Sequence, residues 1–247
     1  SPRSIVTGID IGTYQVKVVI ASTHELNEKG FPRVLGTGIA ETKGIRHGYV
    51  VNPEEVAKSI HIAVKNAERI AKHKVKRAFV AIGGIGLGTI TSTCATTVTR
   101  ADSEITALDI QKLHAQCEKD IPQNYILNKK IIHQVPILYK IDGKPVLGRP
   151  EGMKANRLEV KMLYITCLEH HVNDILQAVE NAGIEVQDVM ASPIAASLVT
   201  LSKTQKIAGC VLANIGAETV SIAVFENNIP ISLEVFPIGS TDITNDI

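Results

Sequence analysis

A short phrase occurs twice in this chain, and both copies carry residues suited to holding a polyphosphate. The first reads Gly8-Ile9-Asp10-Ile11-Gly12-Thr13, followed by Val16-Lys17-Val18-Val19-Ile20. The second reads Leu212-Ala213-Asn214-Ile215-Gly216-Ala217-Glu218-Thr219, followed by Val220-Ser221-Ile222-Ala223-Val224. Each copy predicts an apolar strand, a tight glycine turn and a second apolar strand. Glycine lets backbone approach an anion, and turn N–H groups point at its oxygens. A carboxylate at the strand end suits a hydrated Mg²⁺, a hard cation that prefers oxygen ligands and keeps its waters. Asp10 supplies that carboxylate in the first copy, whereas the second has the amide Asn214. Lys17, set among valines, can reach a phosphate as a point charge or stand as an ordinary exposed strand lysine.

Other chemistry is sparse. The eight histidines have no partners at ligand spacing, and no Ser/His/Asp arrangement is legible. Cys94, Cys117, Cys167 and Cys210 are far apart and form no Cys-x-x-Cys pair, which reads as free thiols in a reducing compartment. Gly83-Gly84-Ile85-Gly86-Leu87-Gly88 fits neither glycine-rich phosphate template and reads as a flexible domain junction.

The elements that must position the hairpins follow from the pattern. Strands are expected over 5–10, 16–21 and 33–40, the last weakened by Gly36 and Gly38. A helix starts at the N-cap Asn52, with Pro53 in its first position and Glu55 completing a capping box. Val56, Ile60, Val64, Ala67, Ile70 and Ala71 form its apolar face. Lys72, Lys74, Lys76 and Arg77 beyond it read as a solvated helix end complementing the dipole. A buried strand spans Phe79 to Ile82. Beyond the glycine-rich stretch come a strand over 89–99, a helix capped by Thr106 with Asp109 at its third position, and strands over 130–140 and 157–167. A helix then runs from Glu169 to a stop at Gly183. A strand covers 184–190, a helix opens at Ser192-Pro193, strands cover 208–214, 219–225 and 230–237, and a polar, helix-starting segment spans 241–247.

The chain of 247 residues is 45% hydrophobic and 21% charged, ordinary values for a globular protein of one large or two smaller domains. A net charge of +1 argues against bulk electrostatic binding to nucleic acid, and the absence of Trp argues against base-stacking platforms. There is no signal-peptide pattern and no long apolar run, so the expected compartment is the cytoplasm. The second phrase falls so near the end that most of a second related half is missing, and a fragment of a longer protein is expected.

With these residues in place, the sequence resembles the actin, sugar kinase and heat-shock chaperone ATPase superfamily. The hairpins, the Ser192-Pro193-Ile194-Ala195-Ala196 connector and the element order carry that likeness. Within it, Leu147-Gly148-Arg149-Pro150-Glu151-Gly152-Met153 and Asn156-Arg157-Leu158-Glu159-Val160 resemble the FtsA family of bacterial cell-division proteins. So do Gly44 to Asn52 and Ser103 to Asp109.

The resemblance implies an α/β fold: an actin-like, ribonuclease H-like mixed sheet flanked by helices, with a small α+β insert and only the start of a second lobe. It divides the chain into a first lobe over 1–82 plus 167–206, an insert over 83–166 and the opening of the second lobe over 207–247. It implies ATP and Mg²⁺ held by Asp10, Gly12, Thr13, Tyr14, Gln15 and Lys17 from one side, and by Asn214, Gly216, Ala217, Glu218 and Thr219 from the other. Asp10 is the metal-facing residue. It further implies self-association into polymers, partnership with FtsZ and other division proteins, and a peripheral place at the cytoplasmic face of the membrane through a later C-terminal region. The departures at Asn214, Ser192, Ser221 and Glu218, the last expected to repel a γ-phosphate, imply weak or absent hydrolysis. A pilus-assembly-type actin-like adaptor and an ATP-dependent small-molecule kinase are the alternatives. The kinase lacks a convincing catalytic carboxylate.

Overall fold

The structure, a computed structural model, describes residues 5–28 and 30–246. The expectations for 1–82 and 207–247 also run over residues 1–4, 29 and 247, which lie outside the described residues. Strands β1 (Ile5–Ile11), β2 (Gln15–Leu26) and β3 (Pro32–Glu41) form an antiparallel meander. The short strands β4 (Ile45–Arg46) and β5 (Tyr49–Val50) lead to helix α1 (Pro53–Ala71) and strand β6 (Arg77–Ile82). Next come β7 (Gly88–Thr97), α2 (Ala107–Lys119), α3 (Gln123–Ile126), β8 (Lys129–Ile141), β9 (Lys144–Val146) and β10 (Arg157–Leu168). The chain continues through α4 (Glu169–Asn181), β11 (Glu185–Ala191), α5 (Ser192–Thr200) and α6 (Lys203–Ala208). It closes with β12 (Cys210–Ile215), β13 (Val220–Glu226), β14 (Ile229–Phe236) and α7 (Ser240–Asn245).

The first sheet has the order β11-β6-β1-β2-β3, with β6 parallel to β1 and β11 parallel to β6. Strands β7, β10, β8 and β9 make a separate antiparallel sheet, and β12, β13 and β14 make a third. The second hairpin therefore lies outside the sheet of the first and repeats its strand–turn–strand pattern.

Helix α1 buries Val56, Ile60, Ala63, Val64 and Ala67 against the first sheet, whereas Ile70, expected on the same face, is exposed in the last turn. Each fully buried Val or Ile contributes about 1.5–3 kcal/mol relative to exposure. Gly36 and Gly38 permit that packing. A Cβ on Gly38 would lie 2.6 Å from Ala67 N and collide with the Ala63 carbonyl, and one on Gly36 would lie 2.6 Å from Ala71 N. The two glycines that weakened a strand reading are thus the places where helix backbone rests on strand backbone. Asn52 caps α1 by accepting from the Glu55 N–H at 3.2 Å. The expected reciprocal bond is replaced: the Glu55 carboxylate pairs with Lys58 at 2.9 Å, and the Asn52 N–H goes to the Gly44 carbonyl. The full box forms at Thr106 and Asp109 instead.

Strand β10 is buried on both faces, which explains its long apolar run. Leu158, Val160, Met162 and Tyr164 face α2, with Ile110, Leu113 and Cys117. Leu163, Ile165 and Cys167 join the main core, which also takes in Leu233 of β14. Cys94, Cys117 and Cys167 are buried free thiols, and Cys210 is half-buried. Burial pushes the Cys94 thiol up to about 12, which keeps it protonated and unreactive.

Candidate nucleotide cleft

The two repeated turns have the same internal geometry. The Gly12 N–H donates to Gln15 O at 3.1 Å, and the Gly216 N–H donates to Thr219 O at 2.8 Å. Any Cβ at these glycines would press on that same carbonyl, at 3.1 Å and 3.0 Å. A side chain there would require that carbonyl to give way by a few tenths of an ångström, so the turns are tight at both glycines although neither has a left-handed backbone. No intramolecular acceptor among the described residues takes the backbone N–H groups of Thr13, Tyr14 or Ala217. These unpaired donors are what an anion at the turns would satisfy.

Both turns open on one cleft of about 430 Å³. Asp10, Gly12, Thr13, Tyr14, Gln15 and Lys17 line it from the first hairpin, and Asn214, Gly216, Ala217 and Thr219 from the second. Glu218 does not line it. Its carboxylate turns away, accepting the His47 N–H at 2.6 Å and lying 3.5 Å from Arg46 Nη1. The expected repulsion of a γ-phosphate by Glu218 is therefore not supported by its position.

Strand register makes the difference between the copies explicit. Asp10 stands opposite Lys17 across the first hairpin, and Asn214 stands opposite Ser221 across the second. An acid facing a lysine across the first hairpin is replaced by an amide facing a hydroxyl across the second. Burial raises the Asp10 carboxyl above its ordinary 3.8, while Lys17 and a hydrogen bond from Ser192 Oγ pull it partway back. A desolvated carboxylate with one long hydroxyl contact, 3.5 Å, suits a hydrated cation.

The sequence reading missed Gly48, Gly83, Gly84 and Leu87, which also line the cleft. The signal was the pair of glycine clusters at 44–48 and 83–88. Gly48 and Gly84 both have a left-handed backbone, with φ of 80° and 96°, and their main chains cross so closely that a Cβ on Gly48 would strike Gly84. The expected flexible junction is instead a packed crossing. His171 reinforces it, donating from Nε2 to Gly83 O at 3.0 Å. That bond fixes the neutral tautomer, and burial holds the ring's pKa below the ordinary 6.5. No cluster able to hold a metal through three or more His, Cys, Asp or Glu side chains occurs among the described residues. A cation at Asp10 would consequently depend on water and phosphate oxygens.

Comparison with known proteins narrows the reading. Residues 87–166 match the family described as the SHS2 domain inserted in FTSA. The chain is 30% identical over 246 residues to the cell division protein FtsA of Bacillus subtilis (strain 168), covering 99% of this chain and 54% of that protein. It is 30% identical over 244 residues to the cell division protein FtsA of Pseudomonas aeruginosa, covering 98% and 56%. The chain thus spans about half the length of the curated relatives it matches. Among solved structures it is similar to the PilM-PilN type IV pilus biogenesis complex, with a TM-score of 0.66 and 17% identity over 100% of this chain and 65% of that chain. That likeness shows the fold alone, which is actin-like.

Proposed function

We propose that this FtsA-like chain is the nucleotide-gripping part of an actin-like cell-division protein that binds Mg-ATP, self-assembles, anchors the FtsZ ring at the membrane and recruits other division proteins. The observation that carries the reading is the pair of matched glycine turns presenting unpaired N–H groups to one cleft beside the buried Asp10. We divide the chain accordingly into a first lobe (1–82 with 167–206), an insert (83–166) and the opening of a second lobe (207–247).

The residues present fit the proposed ligand. The turns at Gly12–Gln15 and Gly216–Thr219 would receive phosphate oxygens, Lys17 would add a positive charge and Asp10 would hold the water shell of Mg²⁺. When bound, Mg²⁺ supplies neutralisation of phosphate charge. Hydrolysis needs a group that orients or deprotonates water, and the cleft offers little. Asn214 accepts no proton, and the carboxylate that Ser192 contacts is Asp10, at a long 3.5 Å, which this reading assigns to the water shell of Mg²⁺. Slow or absent turnover follows, with the nucleotide governing assembly rather than being consumed rapidly.

No described helix is long and apolar enough to cross a membrane. We assign membrane attachment and FtsZ binding to sequence beyond this chain, in the part its longer relatives possess. The insert match and the identity to cell-division relatives favour this reading over a pilus-assembly adaptor, for which the PilM-PilN likeness supports the fold only.

Isothermal titration of Mg-ATP into the chain and into an Asp10→Ala variant tests the site. Binding that weakens on Asp10→Ala is expected, and no binding by either protein would overturn the reading. Vesicle co-sedimentation with FtsZ, using a protein of the relatives' full length, tests the cellular role.

A further inference from the structure

Segment 42–48 lies beside the tips of both glycine turns. Tyr14 and Glu218 hold the same place in the repeated turn, and each is tied to this segment. The Thr42 N–H donates to Tyr14 O at 2.9 Å. The His47 N–H donates to Glu218 Oε2 at 2.6 Å, with Arg46 Nη1 at 3.5 Å from Oε1. The strap is itself fixed. Val51 and Asn52 both donate to Gly44 O, at 2.8 Å and 3.1 Å, and Gly48 packs against Gly84. His47 sits in the left-handed region at φ 48°, a conformation that non-glycine residues keep only where their surroundings hold it.

We infer that Glu218 is a positioning residue: it latches the second turn to the strap and thereby fixes that turn's distance from the first. The amide–carboxylate bond dominates. The Glu218 side chain is 17% exposed, whereas Arg46 is 75% exposed and its charge is screened by water. The bond also removes an acid from the cleft, since a carboxylate committed to a backbone amide is held away from bound phosphate. Only this last consequence rests on the proposed nucleotide site. The latch itself is measurable without any nucleotide.

Two readouts on the 247-residue chain test it. The first is hydrogen exchange at the His47 amide. The second is the distance between spin labels at Thr37→Cys and Glu226→Cys in a Cys210→Ser background. Glu218→Ala is expected to speed His47 exchange by about tenfold or more, the scale of one hydrogen bond to a charged group, and to broaden the label distance. Glu218→Gln keeps a carbonyl acceptor and should restore most of both. Arg46→Ala should change neither appreciably. Unchanged exchange or an unchanged distance in Glu218→Ala overturns the inference. Loss of Mg-ATP binding in Asp10→Ala with an intact latch concerns the nucleotide site alone, so the two readings fail separately.

Discussion

Asp10 and Asn214 occupy equivalent places in two hairpins of one pattern, opposite Lys17 in the first and Ser221 in the second. The duplication has kept its turns and lost half of its charges.

Asp10→Asn should stabilise the ligand-free chain at neutral pH. Because the carboxyl is raised above 3.8, the fold holds that proton more tightly than the unfolded chain does. Ionisation therefore costs stability as pH rises through and above 3.8, and an amide avoids that cost. The same change should weaken Mg²⁺-dependent nucleotide binding. Thermal melts at pH 7 paired with titrations check both signs, and a lower melting temperature would contradict the account.

Asn214→Asp should strengthen Mg²⁺-dependent nucleotide binding by placing a second acid at the facing strand end. Ser192→Glu should not act in the same way, because Ser192 Oγ already contacts Asp10 and a carboxylate there would repel it. Titrations of each variant with and without Mg²⁺ distinguish them.

Acid should destabilise the fold through three histidines kept neutral. Burial lowers the pKa values of His114, His133 and His171 below the ordinary 6.5. Their stability contribution is complete above 6.5 and is lost as pH falls from 6.5 toward the lower folded values. His133 is the clearest case, since its Nε2 accepts the Ala191 N–H at 3.0 Å and protonation ends that bond. Chemical denaturation from pH 7.5 to 5 should show falling stability, with a shallower fall in His133→Gln.

Gly38→Ala should destabilise by at least about 1–3 kcal/mol, the usual range for overpacking, because its Cβ meets the α1 backbone. Gly8→Ala, in the same sheet with nothing within 4 Å of the new atom, should be neutral or slightly stabilising. Urea titrations of the two variants give the comparison directly.

Much of the fold was legible because its signals are local. The repeated phrase located both hairpins, and Thr106 with Asp109 marked α2. Helix α6 was missed although Ser202 and Gln205 spell a capping box that the structure forms. The strand expected to begin at residue 208 accordingly starts at Cys210, after the helix ends and Gly209 turns the chain at φ 94°. The candidate site was legible where chemistry sits on the repeated phrase. It was illegible at Gly48, Gly84 and Glu218, whose roles depend on main chain brought in from distant sequence. No periodicity announces that the His47 amide will face a carboxylate from residue 218.

Strand β1 is paired on both sides, by β2 and β6, whereas β12 is paired with β13 alone among the described residues. The other side of β12 has no strand partner among the described residues, and the strand carries the exposed Val211 and Ile215. Such an edge is a template for another strand. Handled on its own, the chain should show concentration-dependent edge-to-edge pairing, and a lysine at Val211 would be a natural gatekeeper for keeping it dispersed.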